Sequence, residues 1–195
     1  MTIPARTVHA VLHAVREISG TQYPHLLERA GWSRFQTSIP PESDAVVATR
    51  AELELLFANV YTLLGEGLTR LFLRNYGRLL GEQLLAHAAP GGLVAGWAAI
   101  PPSERHLAAF VAVVAQISTR FWTAATISED AQAYYLTYAR CPLCVGVQGA
   151  SVPLCATMEA LYSRLAKELL GYRVRVVEVA CAATGVPYCK VALYK

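Results

Sequence analysis

Three cysteines and one glutamate near the C-terminus have the types and the spacing of a metal site. Glu178 and Cys181 precede the turn A182-A-T-G-V186, and Cys189 follows it. If two strands pair around this turn, the two thiols face each other across a hairpin. Cys155, near the start of a predicted helix, can lie beside that hairpin. Three thiolates and one carboxylate would make a closed tetrahedral site, which suits zinc.

A second arrangement of the cysteines is open. Cys141 and Cys144 form the element C-P-L-C, a spacing common in zinc half-sites, and they could complete a four-cysteine site with Cys181 and Cys189. The same pair could be a redox dithiol, although no thioredoxin-like βαβ pattern surrounds it. All five cysteines could also be small buried apolar residues. Spacing alone leaves these alternatives standing.

The position of Glu178 in its predicted strand supports a buried carboxylate. Side chains alternate between the two faces of a strand, so one face of residues 172–180 carries Val174, Val176, Glu178 and Ala180. Glu178 is the charged exception on an otherwise apolar face. Burial of a carboxylate is costly unless the group is paired or bound to a cation.

The order of the elements predicts an α+β fold. Helical patterns come first, at about residues 5–19, 23–30, 49–64, 68–87 and 104–121. Strands, a helix and two more strands follow, at about residues 122–127, 133–139, 152–170, 172–180 and 187–194. Short turns join the strands of each pair, which requires antiparallel pairing. We therefore predict an antiparallel sheet of about four or five strands with helices packed on one face, after an N-terminal helical extension.

The loop of residues 32–44 is the best candidate for a linker because it combines a proline pair with a polar cluster. It divides the chain into an N-terminal helical segment, residues 1–40, and a ligand-binding domain, residues 45–195.

Composition excludes several functions and favours a buried apolar surface. Hydrophobic residues make up 54% of the chain and charged residues 16%. The net charge is +3 without a run of Lys and Arg, so we expect no nucleic-acid partner. No apolar run approaches the ~18 residues of a membrane span, and no basic segment leads into an apolar one at the N-terminus. We expect a cytoplasmic protein without membrane insertion.

An apolar pocket with a few polar groups is the usual form of a small-molecule site. His106 is the candidate polar group, because it lies one helical turn ahead of Phe110. The candidate aromatic wall consists of Trp97, Trp122 and Tyr134. These residues are equally consistent with an ordinary core, where most aromatic side chains lie.

Recognisable catalytic motifs are missing from the sequence. It contains no GxGxxG fingerprint, no phosphate-binding loop and no GxSxG nucleophile elbow. A reductase needs a hydride source, and no nicotinamide or flavin site is recognisable. This counts against an enzyme that acts by itself, and we predict no catalytic residue.

The spacing of Cys155, Glu178, Cys181 and Cys189, with the turn G185-V-P-Y-C189, resembles the vinyl-4-reductase domain family over about residues 130–195. It is similar to the sensor domains of bacterial phenol- and toluene-responsive transcription activators, whose Cys, Glu, Cys, Cys quartet holds zinc. The family's fold resembles TRAPP vesicle-tethering subunits and heme nitric-oxide-binding domains. The resemblance implies a structural zinc on these four residues, with Cys141 and Cys144 as alternative ligands. It also implies an apolar cavity between helices and sheet, and a homodimer.

The resemblance implies a function as well. The family name comes from the reduction of a vinyl group in bacteriochlorophyll synthesis. We therefore expect a domain that binds a small hydrophobic ligand, for example a tetrapyrrole intermediate carried to a separate reductase. The alternatives are a 4-vinyl reductase acting on a divinyl chlorophyllide precursor, and a sensor of small aromatic compounds.

Overall fold

The computed structural model describes residues 2–86, 93–121 and 123–195. Its helices are α1 (Ala5–Ser19), α2 (Tyr23–Arg29), α3 (Arg50–Ala86), α4 (Leu93–Ala98), α5 (Leu107–Phe121) and α6 (Ala156–Leu170). Its strands are β1 (Thr2–Pro4), β2 (Val46–Thr49), β3 (Thr126–Glu129), β4 (Ala133–Tyr138), β5 (Val176–Ala180) and β6 (Cys189–Tyr194). The predicted α+β class is confirmed.

The main sheet has the strand order β3-β4-β6-β5, and each neighbouring pair is antiparallel. Helices α5 and α6 pack against it. Strands β1 and β2 form a separate antiparallel pair that the sequence analysis missed. They have three and four residues, too few to show a clear alternation of polar and apolar side chains.

The first strand of the main sheet lies further along the chain than predicted. Residues 122–127 were expected as a strand and residues 128–130 as a turn, yet β3 runs to Glu129 and pairs with Tyr134 there. The turn begins one residue later, because Asp130 Oδ1 accepts the amide protons of Gln132 and Ala133. An Asp that caps a turn in this way allows exposed polar residues to continue an edge strand.

Helix α3 joins two predicted helices into one element of 37 residues with a kink at Gly65, whose φ is 74° and ψ is 178°. Its N-terminus has the predicted capping box, in which Glu52 Oε2 accepts the Thr49 amide proton at 2.7 Å. Further along, α3 crosses α6 closely at Gly77. A methyl group at this position would overlap the backbone carbonyl of Thr157, so only glycine fits.

One hydrophobic core extends through both predicted segments of the chain. Val11 of α1, Leu27 of α2 and Phe57 of α3 all belong to it and are at most 1% exposed. The N-terminal helices pack directly on α3. The boundary between residues 40 and 45 stays a prediction. None of the described helices combines the length and the apolar character needed to cross a membrane.

Candidate functional site

All five cysteines of the chain converge in the interior, on one side of the main sheet. Cys141 and Cys144 lie in the turn that follows β4, and Cys155 precedes the first residue of α6. Cys181 comes directly after β5, and Cys189 is the first residue of β6. Every one of these side chains is buried and in the free thiol form.

The sulfur atoms are in mutual contact. Cys155 Sγ lies 3.3 Å from Cys141 Sγ, 2.9 Å from Cys144 Sγ and 3.7 Å from Cys189 Sγ. Cys144 Sγ lies 3.3 Å from Cys181 Sγ and 3.7 Å from Cys189 Sγ. Four tetrahedral thiolates around zinc would be about 3.8 Å apart, given the usual Zn–S length. The two distances to Cys189 already have this value.

Two overlapping sets of residues could hold a metal ion here, each with its ligand atoms within 4.8 Å of one another. One set consists of Cys155, Glu178, Cys181 and Cys189, the quartet predicted from the sequence. The other consists of Cys141, Cys144, Cys155 and Cys189. The C-P-L-C element therefore meets the predicted quartet at one place, and Cys155 and Cys189 belong to both sets.

Glu178 supplies the carboxylate on the inner face of β5, where it is 4% exposed. Its Oε2 accepts the Cys155 amide proton at 2.6 Å, which connects β5 to the start of α6. Its Oε1 is buried without a hydrogen-bond partner among the described residues. Burial, with the adjacent Cys181 and Cys189, raises the pKa of this carboxyl to about 10. An unpartnered oxygen beside thiols is the position that a cation would satisfy.

The backbone around the turn 182–186 favours thiolates. The Leu154 amide donates to Cys181 Sγ at 3.4 Å, and the Ala182 amide donates to Cys189 Sγ at 3.3 Å. A hydrogen bond from Cys144 lowers the pKa of Cys181 to about 6. The thiols of Cys141 and Cys144 likewise lower the pKa of Cys189. Metal ligation requires deprotonated sulfur, so this donor set fits a thiophilic divalent cation such as zinc.

The thiols of Cys144 and Cys155 differ from those two. Burial raises the pKa of Cys155, and its contact with Cys141 raises the pKa of Cys144. Without a cation the cluster therefore combines anionic sulfur with protonated thiols that donate to it. A bound cation would replace those protons.

A triangle of hydroxyl groups lies between α5 and the elements that carry the thiols. Ser118 Oγ is 2.7 Å from the Tyr162 hydroxyl and 3.1 Å from the Tyr138 hydroxyl, and the two phenol oxygens are 2.6 Å apart. All three residues are fully buried. Burial raises the pKa of Tyr162 to about 12. The triangle ties α5, β4 and α6 together.

An open cleft of about 890 Å³ lies between the N-terminus of α5 and the end of the main sheet. It is lined by His106, Leu107, Ala108, Tyr134, Tyr172, Arg173, Arg175, Tyr194 and Lys195. His106 Nδ1 accepts the Ala109 amide proton at 3.4 Å, so Nε2 is the donor of the neutral ring. The volume falls within the range usual for small-molecule sites.

The structure distributes the predicted ligand residues over three places. His106 and Tyr134 line the cleft. Trp97 and Phe110 lie in the core in edge-to-face contact at 6.2 Å, and Trp97 Nε1 donates to the Leu169 carbonyl at 3.0 Å. Trp122 lies outside the described residues. As far as the structure describes them, the pocket residues are thus part lining and part supporting core.

Sequence reasoning missed the cations of the cleft. Arg173 and Arg175 precede β5 and line the cleft with Lys195. Their spacing of two places both on one face of an extended segment, opposite Val174, and this was the available signal. An arginine pair on an outward face was interpreted as ordinary solvated surface.

Comparison with known families gives a match in the same part of the chain. The vinyl-4-reductase (4VR) domain family matches residues 134–195, which include all five cysteines and Glu178. Residues 134–195 form a vinyl-4-reductase domain. The resemblance to this family is confirmed over those residues. No curated protein sequence matches the chain.

Solved structures of H-NOX proteins share the fold of nearly the whole chain. A variant of Tt H-NOX is 14% identical with a TM-score of 0.53, over 99% of this chain and 95% of that one. An H-NOX protein from S. oneidensis is 12% identical with a TM-score of 0.50, over 96% and 95%. The phenol-responsive sensory domain of the transcription activator PoxR, solved with phenol, is 18% identical with a TM-score of 0.41, over 90% of each chain. At these identities the H-NOX likeness establishes the fold.

Proposed function

We propose that this protein binds a small aromatic ligand in the cleft beside α5, and that a structural zinc ion in the cysteine cluster fixes one wall of that cleft. The observation that carries the proposal is the cleft itself. It has the volume of a small-molecule site and places His106 and Tyr134 together at the open end between helices and sheet. The vinyl-4-reductase domain supports binding or sensing of a small molecule.

For the zinc, the proposed ligands are Cys155, Glu178, Cys181 and Cys189. Two features support this quartet over the four-cysteine set. Glu178 Oε1 is buried without a hydrogen-bond partner within the described part of the chain, and backbone amides donate to the sulfurs of Cys181 and Cys189. With four protein ligands the ion would have no open position for water. Its contribution is therefore to folding and rigidity.

The hairpin of β5 and β6 connects the zinc site to the cleft. Arg175 precedes β5 at the cleft end, and Cys181 follows it at the metal end, roughly 20 Å away for an extended strand. Strand β6 returns from Cys189 to Tyr194, whose amide donates to the Arg175 carbonyl at 3.0 Å. A metal that holds one end of this hairpin restricts the position of the cleft wall at the other.

A tetrapyrrole intermediate of bacteriochlorophyll synthesis is the cargo that we propose first. Among proteins with this fold, one distorts a porphyrin to modulate the redox potential of its heme, which supports a flat macrocycle as a ligand type. The sequence contains no recognisable hydride-donor site, so we place the vinyl reduction on a separate enzyme. A reductase that acts alone, or a sensor of small aromatic compounds, is the alternative.

A homodimer in the cytoplasm completes the proposal. Leucines on the outside of α3 support a subunit interface, because Leu55, Leu68 and Leu71 are 48%, 44% and 51% exposed. Native mass spectrometry of protein purified from its own host tests subunit count, metal and retained ligand together. We expect two subunits, one zinc per subunit and a bound aromatic small molecule. Protein that carries neither ligand nor metal, and that gains none on incubation with host extract, would contradict the proposal.

The enzyme alternative has its own test. Purified protein is mixed with a divinyl chlorophyllide precursor and NADPH, and the vinyl group is followed by absorption spectroscopy. We expect binding without turnover. Reduction of the vinyl group without another protein would favour the enzyme.

A further inference from the structure

The cleft beside α5 has an uncompensated positive charge. Arg173 and Arg175 both line it and both are exposed. No Asp or Glu is among its lining residues, and no described carboxylate forms an ion pair with either guanidinium. Lys195 differs, because its Nζ lies 3.6 Å from Glu129 Oε2 and donates to the Asp130 carbonyl. Among the described residues of the cleft, the two arginines are therefore the cations available to a ligand.

Aromatic rings accompany these cations. Tyr134, Tyr172 and Tyr194 line the same cleft, and Tyr172 is 50% exposed. The Arg175 guanidinium lies over the Tyr194 ring, 4.8 Å from its centroid, and Lys195 Nζ lies 4.7 Å from the centroid of Tyr134. Rings arranged in this way hold a planar ligand, while the cations next to them attract an acidic group on its edge.

The end of α5 adds to the positive potential. The cleft is lined by Leu107 and Ala108, the first residues of this 15-residue helix. The amide groups of a first helical turn point away from the helix, and the macrodipole makes this end favourable for an anion. This contribution supplements the arginines and would not define a site without them.

We infer that the cleft selects aromatic anions, and that Arg173 and Arg175 bind the ligand's carboxylate while the tyrosine rings hold its flat body. The inference rests on the proposed function and specifies its ligand class. Guanidinium groups bind carboxylates through paired, charge-assisted hydrogen bonds, which an alcohol of the same shape cannot form. A tetrapyrrole with a carboxylate side chain belongs to this class, whereas a neutral phenol does not.

The test uses a matched pair of probes on the full chain: 2-naphthoate and the neutral 2-naphthalenemethanol, each titrated by calorimetry. We expect the naphthoate to bind at least about tenfold more tightly, since hydrogen bonds between charged groups exceed neutral ones by about this factor. The variant with Arg173→Gln and Arg175→Gln should lose that advantage and keep its affinity for the alcohol. Arg16→Gln, at an exposed position of α1, is the charge control and should change neither affinity.

Salt provides a second measurement that needs no variant. Raising the NaCl concentration from about 50 to about 500 mM should weaken naphthoate binding several-fold and leave alcohol binding unchanged, because salt screens only the charged pair. Equal affinities for the two probes, unaffected by salt and by the arginine substitutions, would overturn the inference while leaving the proposed aromatic site intact. If neither probe binds, both the inference and the proposed function fail.

Discussion

Replacing Glu178 by Gln separates a carboxylate that binds metal from one that is merely buried. In metal-free protein the raised pKa, about 10, keeps the folded carboxyl protonated at pH 7, while the unfolded chain ionises it near 4.5. Folding must then take up a proton, which costs about 3 kcal/mol at pH 7. Glutamine does not ionise and avoids this cost. Glu178→Gln should therefore stabilise the metal-free protein at pH 7 by up to about 3 kcal/mol.

With zinc bound the sign reverses. The carboxylate is then an anionic ligand, and an amide in its place loses roughly a quarter of a binding free energy that is about 10–16 kcal/mol for structural zinc sites. We expect the zinc-loaded variant to be less stable than zinc-loaded wild type by about 3 kcal/mol. The sign should thus depend on the metal, which burial without ligation cannot explain.

The assay is urea unfolding at pH 7, run with one equivalent of zinc and again with a chelator, and repeated at pH 4. At pH 4 the chelated proteins should be nearly equal in stability, because the carboxyl group of wild type is then mostly protonated in both the folded and the unfolded state. Glu82→Gln, an exposed substitution on α3, is the control and should have little effect. A Glu178→Gln variant that changes stability equally with zinc and with chelator would refute the reasoning.

Two further predictions concern the helix crossing and the extra cysteine pair. Gly77→Ala should lower the free energy of unfolding by about 1–3 kcal/mol or more, since its methyl group meets the Thr157 carbonyl. Gly67→Ala, with open space around it, should be neutral or stabilising by up to about 1 kcal/mol, and equal effects in chemical denaturation would contradict the close crossing. Replacing Cys141 and Cys144 together by Ser should leave one zinc per chain by elemental analysis. Loss of the zinc would assign it to the four-cysteine set instead.

The convergence on the cysteine cluster could be predicted because it follows from local rules. Strand alternation places Glu178 on the buried face, and the short turn brings Cys181 and Cys189 to the same end of one hairpin. Both rules depend on residues close in sequence. The contribution of Cys141 and Cys144 to the same point depends on how the turn after β4 packs near the start of α6, which spacing does not determine.

The parts that escaped prediction depend on contacts between distant segments. Pairing of β1 with β2 joins residues that lie far apart in the sequence, such as Ile3 and Ala48, and neither strand has enough residues to show a pattern. The cleft likewise forms only where the start of α5 meets the residues before β5 and after β6. His106 could be chosen from helical spacing, but Arg173 and Arg175 are recognisable as lining only once that meeting is known.

X-ray absorption at the zinc edge, on protein loaded with one equivalent of zinc, tests the metal site at the centre of this account most directly. The proposed quartet predicts three sulfur ligands at about 2.3 Å and one oxygen ligand at about 2.0–2.2 Å. A shell of four sulfur atoms without oxygen would contradict the role of Glu178, and a shell of oxygen and nitrogen ligands only would contradict a metal site in the cysteine cluster.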